Sequence, residues 1–263
     1  MNKSLARSDK DVAEVDTIRA ESLKGFAHGF LGRRGGISTG AVAGLNVGLG
    51  ADDDDTSVTE NRRRAVEAVM PGAKLATVYQ VHSAEALAVK EPWPVDERPK
   101  ADGMVTNRPG LLLGIVTADC APILLADASA GVIGAAHAGW RGAHGGVIEA
   151  TVDAMEALGA KRAAIAGVIG PCIAQASYEV DDGFRANFAD EDAQFFGMGK
   201  MGHYQFDLEA YAASRLAKAG IGRIEPLGID TYADGNRFFS YRRATHQVAA
   251  TYGRQFSLIG IPT

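Results

Sequence analysis

Apolar residues along the chain follow two different patterns, continuous runs and stripes at helical spacing. Continuous apolar runs are typical of buried strands, and they predict strands at 74–81, 111–116, 123–126, 131–136 and 163–169, with late β segments at 238–241 and 256–261. Apolar stripes at helical spacing predict helices over 60–70, 145–158 and 207–219, each ended by Gly or Pro-Gly. Thr59 is the predicted N-cap of the first helix.

Length and composition indicate a globular protein without a membrane span. The chain has 263 residues, of which 46% are hydrophobic and 22% charged, and no apolar run approaches the ~20 residues that a membrane span needs. We expect residues 1–20 to form a mobile leader and residues 21–263 to form one catalytic domain. No secretory signal is visible, so we expect a cytoplasmic protein.

Charge and cysteine usage narrow the classes of partner. A net charge of −5 argues against a broad nucleic-acid surface, although one or two arginines can still bind a small anion. With two cysteines, Cys120 and Cys172, a framework disulfide is not expected.

Three candidate metal ligands lie at predicted strand-to-loop junctions. His82, Cys120 and His137 each follow an apolar run and stand beside small or rigid residues. Two imidazoles and one thiolate suit a tetrahedral zinc whose fourth position is open, which is typical of a catalytic site. Taken singly, each residue also fits an ordinary core histidine or a buried thiol, so the prediction depends on all three converging.

Two glycine-flanked loops carry candidate substrate-binding residues. Arg34 lies in a glycine-rich loop with Ser38 and Asn46 as possible hydrogen-bond donors, and the alternative is a flexible surface loop. Arg141 precedes a helix, where backbone N–H groups could help to hold an oxyanion; alternatively, Trp140 packs in the core and Arg141 pairs with a carboxylate. Gln80, two residues before His82, completes the predicted set.

Three residues are candidates for the chemistry itself. Asp119 is a candidate for proton transfer or for support of a metal ligand, and its alternative is a turn residue that caps nearby backbone. Cys120 and His137 could instead act as the nucleophile and base of a cysteine hydrolase, because they form a possible thiol-imidazole pair.

An ordered series of motifs, spread over most of the chain, resembles one known family. The series includes Gly35-Gly36-Ile37-Ser38, Gln80-Val81-His82, Ala101-Asp102-Gly103, Asp119-Cys120-Ala121-Pro122, His137-Ala138-Gly139-Trp140-Arg141-Gly142, Gly170-Pro171-Cys172 and Gly253-Arg254. It is similar to the family variously named laccase-like multicopper polyphenol oxidase, peptidoglycan-editing factor and purine nucleoside phosphorylase. One departure is Asp230-Thr231-Tyr232-Ala233, where the family often has Thr-Cys-Thr.

The resemblance implies a fold, a metal and a reaction. The implied fold is α+β, an α-β-β-α sandwich of two intertwined similar halves in a single domain. Zinc would be held by His82, Cys120 and His137. The implied activity is phosphate-dependent cleavage of adenosine, inosine and methylthioadenosine, with adenosine deamination alongside, so the expected partners are a purine nucleoside and phosphate, bound by a monomer.

Other functions of this family remain open at this point. A multicopper laccase needs many imidazoles, often in His-x-His pairs, whereas this chain has six scattered histidines and no such pair. Copper could still replace zinc at a single site. A non-enzymatic role in cell-wall quality control, or editing of a peptidoglycan precursor, are further alternatives.

Overall fold

The computed structural model describes residues 14–263. Within them the strands are β1 (Thr17–Ile18), β2 (Ala27–Leu31), β3 (Lys74–Ala76), β4 (Ala86–Ala88), β5 (Gly103–Thr106), β6 (Leu111–Thr117), β7 (Ala121–Asp127), β8 (Val132–Ala138), β9 (Ala166–Ile169), β10 (Glu179–Asp181), β11 (Phe196–Met198), β12 (His203–Phe206), β13 (Arg223–Pro226) and β14 (Gln255–Gly260). The α-helices are α1 (Asp55–Val69), α2 (Trp140–Gly145), α3 (Val147–Ala157), α4 (Asp182–Arg185), α5 (Leu208–Lys218) and α6 (Tyr241–His246). None of these helices has the length and apolarity needed to cross a membrane.

Two mixed sheets stack face to face, with helices on both outer sides. The first sheet has the order β1-β2-β14-β6-β3 and the second β13-β9-β7-β8-β5-β4, while β10-β12-β11 form a small third sheet. One apolar core joins the first two sheets, a second joins the outer face of the second sheet to α3 and α5, and a third joins the first sheet to α1. These layers confirm the predicted α-β-β-α sandwich in a single domain.

Strand β7 explains why apolar runs predict this sandwich. All its residues are buried, and its side chains alternate between two cores: Ile123 and Leu125 face the helices, while Leu124 and Ala126 face the other sheet. A strand that is covered on both faces is apolar along nearly its whole length, and in β7 only the last residue, Asp127, is charged. The predicted strands at 111–116, 123–126 and 131–136 therefore correspond to β6, β7 and β8.

The chain passes repeatedly from one large sheet to the other. Strand β3 of the first sheet leads through residues 77–85 to β4 of the second, and β6 of the first leads through residues 118–120 to β7 of the second. These two crossings carry His82 and Cys120, and they make the two halves of the sandwich intertwined.

Several predicted boundaries are wrong for identifiable reasons. Helix α1 begins at Asp55, because Asp54 accepts a hydrogen bond from Ser57 N and caps the helix before the predicted Thr59. The helix predicted over 145–158 is interrupted at Gly146, whose φ of 101° is in the left-handed region. The segment 238–241 is not a strand, since Ser240 caps α6 at Arg243 N.

The structured domain begins before residue 21. Most of the predicted leader, residues 1–13, lies outside the described residues. Strand β1 pairs with β2 at residues 17 and 18, and Arg237 forms an ion pair with Asp16 at 2.6 Å. Residues 16–18 therefore already contact the sheet and Arg237, and the boundary at residue 20 stays a prediction.

Candidate metal and substrate site

The structure brings His82, Cys120 and His137 together. Their ligand atoms all lie within 4.8 Å of one another, and Cys120 Sγ is 3.7 Å from His82 Nε2. His137 is buried on β8, Cys120 is half-buried at the crossing from β6 to β7, and His82 is exposed on the crossing from β3 to β4. Neither Cys120 nor Cys172 forms a disulfide, as predicted.

A single buried carboxylate, Asp102, holds two of these residues in place. Its Oδ1 accepts hydrogen bonds from His82 N at 3.0 Å and from His137 Nδ1 at 2.8 Å. Its Oδ2 accepts from Val81 N, Ser83 N and Ser83 Oγ at 2.7–3.1 Å. These bonds stabilise the left-handed conformation of His82, whose φ is 60°. Asp102 thus orients the imidazole of His137 and fixes the backbone that carries His82.

The electrostatics of the site favour a thiolate. Burial opposes ionisation of Cys120, but the imidazoles of His137 and His82 outweigh it and lower the pKa of Cys120 to about 6. Burial likewise opposes charge on His137, yet the Cys120 thiolate and Asp102 raise the pKa of His137 to about 9. Asp102 is itself buried, and hydrogen bonds from His137 and Ser83 hold its pKa at about 2. The thiolate is the form that binds a metal.

The donor set fits one metal ion with three protein ligands. Asp102 occupies Nδ1 of His137, so Nε2 is the atom of that ring that can bind a metal. A Cβ on Gly139 would lie 2.8 Å from Cys120 Sγ and 2.8 Å from His82 Cδ2, so only glycine fits against the cluster. Among residues 14–263 no other group of three or more metal-ligating side chains is present, so a multicopper cluster lacks its ligands.

The cluster opens into a cavity of about 560 Å³. Among the residues that the structure describes, the lining contains no carboxylate side chain. Besides the candidate ligands it includes three arginines and three tyrosines: Arg98, Arg141, Arg254, Tyr79, Tyr241 and Tyr252. Volumes of this size accommodate small-molecule ligands. The lining therefore favours an anionic or aromatic ligand over a cationic one.

Arg141 is the one predicted arginine that lines this cavity. It lies in the first turn of α2, next to Gly139, and its guanidinium stacks over Trp140 at 4.4 Å. Trp140 packs on Phe184, as the alternative reading of this segment expected, but within the described residues Arg141 has no carboxylate partner. Its charge is available to a ligand.

The glycine-rich loop, in contrast, does not contact the cavity. Arg34 is exposed and donates its Nε hydrogen to Asn236 O at 3.2 Å, outside the cavity lining. Ser38 and Asn46 are buried, and both donate to Asp53 Oδ2 at 2.7 Å. Ser38 and Asn46 thus contact Asp53 rather than the cavity, and ligand binding by Arg34 stays a prediction.

The side chains of Gln80 and Asp119 also form hydrogen bonds that hold the segments around the site in place. Gln80 lines the cavity, but its amide group is used by Val116, donating to Val116 O at 2.7 Å and accepting from Val116 N at 2.8 Å. Asp119 is buried with φ 83° and accepts from Thr231 Oγ1, Ser240 Oγ and Arg242 N. Among the described residues its carboxylate is not part of the cavity lining and caps nearby backbone, and its role in proton transfer stays a prediction.

Sequence reasoning did not assign one buried carboxylate, two arginines and three tyrosines to the site. Asp102 and Arg254 were visible only as members of matched motifs, and Arg98 and the tyrosines carry no spacing signal of their own. They reach the cavity from segments far apart in the chain, which only the tertiary structure brings together.

Comparisons with known proteins agree with this architecture. A family model described as multi-copper polyphenol oxidoreductase laccase matches residues 27–262. A purine nucleoside phosphorylase of Deinococcus radiodurans is 39% identical over 249 residues, covering 93% of this chain and 92% of that protein. Purine nucleoside phosphorylase ORF3 of Streptomyces griseus is 38% identical over 228 residues, covering 86% and 92%. The solved structure of YlmD from Geobacillus stearothermophilus is 31% identical, with a TM-score of 0.86 over 94% of this chain and 97% of that one.

Proposed function

Because this chain belongs to the multi-copper polyphenol oxidoreductase laccase family and its curated relatives carry the name purine nucleoside phosphorylase, we propose that it is a zinc-dependent purine nucleoside phosphorylase. Its substrates would be adenosine, inosine and methylthioadenosine together with phosphate. Its products would be the free base and a pentose 1-phosphate.

The observation that carries this proposal is the composition of the cavity. A His-Cys-His cluster opens onto a lining whose other charged side chains are all arginines and whose rings are tyrosines. Guanidinium groups bind phosphate oxygens in a bidentate manner, and aromatic rings stack on purine bases. The same cavity therefore offers groups for both substrates.

The residues of the chain account for the steps of phosphorolysis. A phosphate oxygen forms a bond to C1′ of the sugar while the C1′–N9 bond breaks and its electron pair moves to the purine. Arg141 holds the attacking anion beside the cluster, and that positioning replaces a bimolecular encounter. The departing base needs a proton, and the hydroxyl groups of Tyr79, Tyr241 and Tyr252 line the cavity as donors.

Asp102 and the three ligands form the support for a metal. Zinc bound by His82, Cys120 and His137 would supply a Lewis acid at the end of the cavity. Asp102 keeps the imidazole of His137 oriented and holds the loop that carries His82. Slower deamination of adenosine, in which water replaces the amino group and ammonia leaves, is part of the same proposal.

Product analysis with adenosine tests the proposal. We expect adenine and ribose 1-phosphate only when phosphate is present, together with slow formation of inosine. His82→Ala should abolish adenine formation, whereas His203→Ala, on β12 and outside the cavity lining, should not. Adenine formed equally without phosphate, or no adenine at all, would refute the phosphorylase.

One observation favours a second candidate, a cysteine hydrolase. Asp102 orients the imidazole of His137, and this imidazole lies beside Cys120, whose pKa is lowered. The same arrangement activates the nucleophile in cysteine hydrolases. Metal analysis separates the two, because a thiolate bound to zinc is not a free nucleophile. Stoichiometric zinc that protects Cys120 from alkylation supports the phosphorylase; a metal-free protein inactivated by alkylation supports the hydrolase.

A further inference from the structure

Arg62 is a buried cation whose contacts within residues 14–263 are all to neutral groups. Its guanidinium donates to Val47 O at 3.0 Å and to Thr77 Oγ1 at 3.2 Å, and stacks over Phe256 at 4.8 Å. Within the described part of the chain it forms no ion pair with a carboxylate. Burial of an unpaired charge costs free energy, so a buried guanidinium of this kind indicates that a negative charge is supplied from elsewhere.

Two arginines of the cavity lining, Arg98 and Arg254, form hydrogen bonds at or next to the residues that bind Arg62. Arg98 donates to Val78 O, next to the Thr77 contact of Arg62. Burial and, after it, the charge of Arg98 lower the pKa of Arg62 to about 10, so both groups remain charged near neutral pH. Arg254 O accepts from Val47 N, beside the Val47 carbonyl that binds Arg62.

The loop 48–50 completes this end of the cavity. Gly48 packs on the Arg254 side chain, where a Cβ would lie 3.0 Å from one guanidinium nitrogen. Leu49 and Gly50 line the cavity, and their N–H groups donate no hydrogen bond within residues 14–263. The nearby Asp53 carboxylate is occupied by Ser38, Asn46 and Asp54 N and does not line the cavity. Backbone donors and arginines therefore line this end of the cavity, and no carboxylate is among the lining residues within the described part of the chain.

We propose that Arg98 and Arg254, with Arg62 behind them, form a phosphoryl-binding subsite of the cavity, distinct from Arg141 beside the metal ligands. The proposal deepens the proposed function, since it assigns a place to a phosphate group of the substrates. The bound group is either inorganic phosphate or the 5′-phosphate of a nucleotide, and both have the chemistry that two guanidinium forks recognise.

Calorimetric titration of the zinc-loaded protein with inorganic phosphate, and separately with adenosine and adenosine 5′-monophosphate, tests the subsite. Arg254→Gln and Arg98→Gln should each weaken phosphoryl binding at least tenfold with zinc content unchanged. The matched control is Arg108→Gln, an exposed arginine outside this cavity lining, which should bind as the wild type does. Arg254→Lys should recover part of the loss, because it restores the charge without the fork.

The two sources are distinguished by which ligand responds. Weaker binding of inorganic phosphate assigns the subsite to the co-substrate; weaker binding of the monophosphate but not of inorganic phosphate or adenosine assigns it to a nucleotide. Unchanged affinity for both phosphoryl ligands in both glutamine variants overturns the subsite. This outcome is independent of turnover, so a protein that binds phosphate here but makes no adenine would refute the proposed reaction alone.

Discussion

Replacement of Asp102 by asparagine removes one charge at the residue that orients two candidate metal ligands. In the wild type, Asp102 accepts five hydrogen bonds, two at Oδ1 and three at Oδ2. An asparagine side chain can accept on only one of its two atoms. In either orientation, its NH₂ group faces backbone N–H groups of residues 81–83 that then lose their acceptor.

The magnitude follows from the pKa and from the hydrogen bonds. A carboxyl group whose pKa falls from its ordinary 3.8 to about 2 stabilises the folded state. The contribution at neutral pH is about 2–3 kcal/mol, and it is lost as pH falls from about 4 to about 2. An unsatisfied buried N–H costs a further ~1–3 kcal/mol. Disturbance of a group that orients metal ligands typically weakens metal affinity about 10- to 100-fold.

Two measurements check this reasoning: zinc affinity by competition with a chelator, and urea unfolding of the metal-free protein. The matched control is Asp127→Asn, because Asp127 is equally buried and its carboxylate accepts from Ser129, Ala130 and Lys161 far from the cluster. We expect both variants to unfold at lower urea, and only Asp102→Asn to lose zinc affinity. Equal zinc affinity in Asp102→Asn and the wild type would refute the positioning role of Asp102.

Three further predictions concern the neighbours of the cluster. Gly139→Ala should lower zinc content with an unchanged circular dichroism spectrum, since its Cβ would press on Cys120 and His82; full zinc occupancy would contradict the close approach. In zinc-free protein, the alkylation rate of Cys120 should be half-maximal near pH 6 and level off above about pH 7, and a rate that still rises beyond pH 8 would contradict the lowered pKa. Asp119→Asn should keep phosphorolysis within about tenfold, because it can still accept at the cap of α6, whereas a general base would lose about 100-fold or more.

The core elements of the fold could be predicted because a doubly covered strand leaves an uninterrupted apolar run. Strands β6, β7 and β8 match the prediction closely for this reason. Residues 77–81 and 238–240 are equally rich in β-forming residues, yet they leave the sheets. The side-chain amide of Gln80 binds the N–H and the C=O of Val116 in place of the backbone of a neighbouring strand. No local sequence pattern predicts this replacement.

In the candidate site, too, some residues could be predicted from the sequence and others depend on the tertiary structure. The metal-ligand prediction depended on residue types that few other roles require, and the structure places all three within reach of one ion. The ligand-binding prediction used local glycine spacing, so it selected Arg34, whose loop points away, and missed Arg254, which is brought in by β14. Electrostatic partners such as Asp102 and His137 are 35 residues apart, a relation that only tertiary pairing creates.

The placement of the candidate ligands on the crossings between the sheets has a mechanical consequence. His82 and Cys120 belong to two of the segments by which the chain changes sheets, and His137 belongs to a strand of the second sheet. An ion held by all three would cross-link the two sheets. The sheets could then separate only after a bond between the ion and one of its ligands had broken. Dissociation of the ion would then limit the unfolding rate of the metal-loaded protein. The ion would therefore slow unfolding in denaturant far more than it would accelerate refolding.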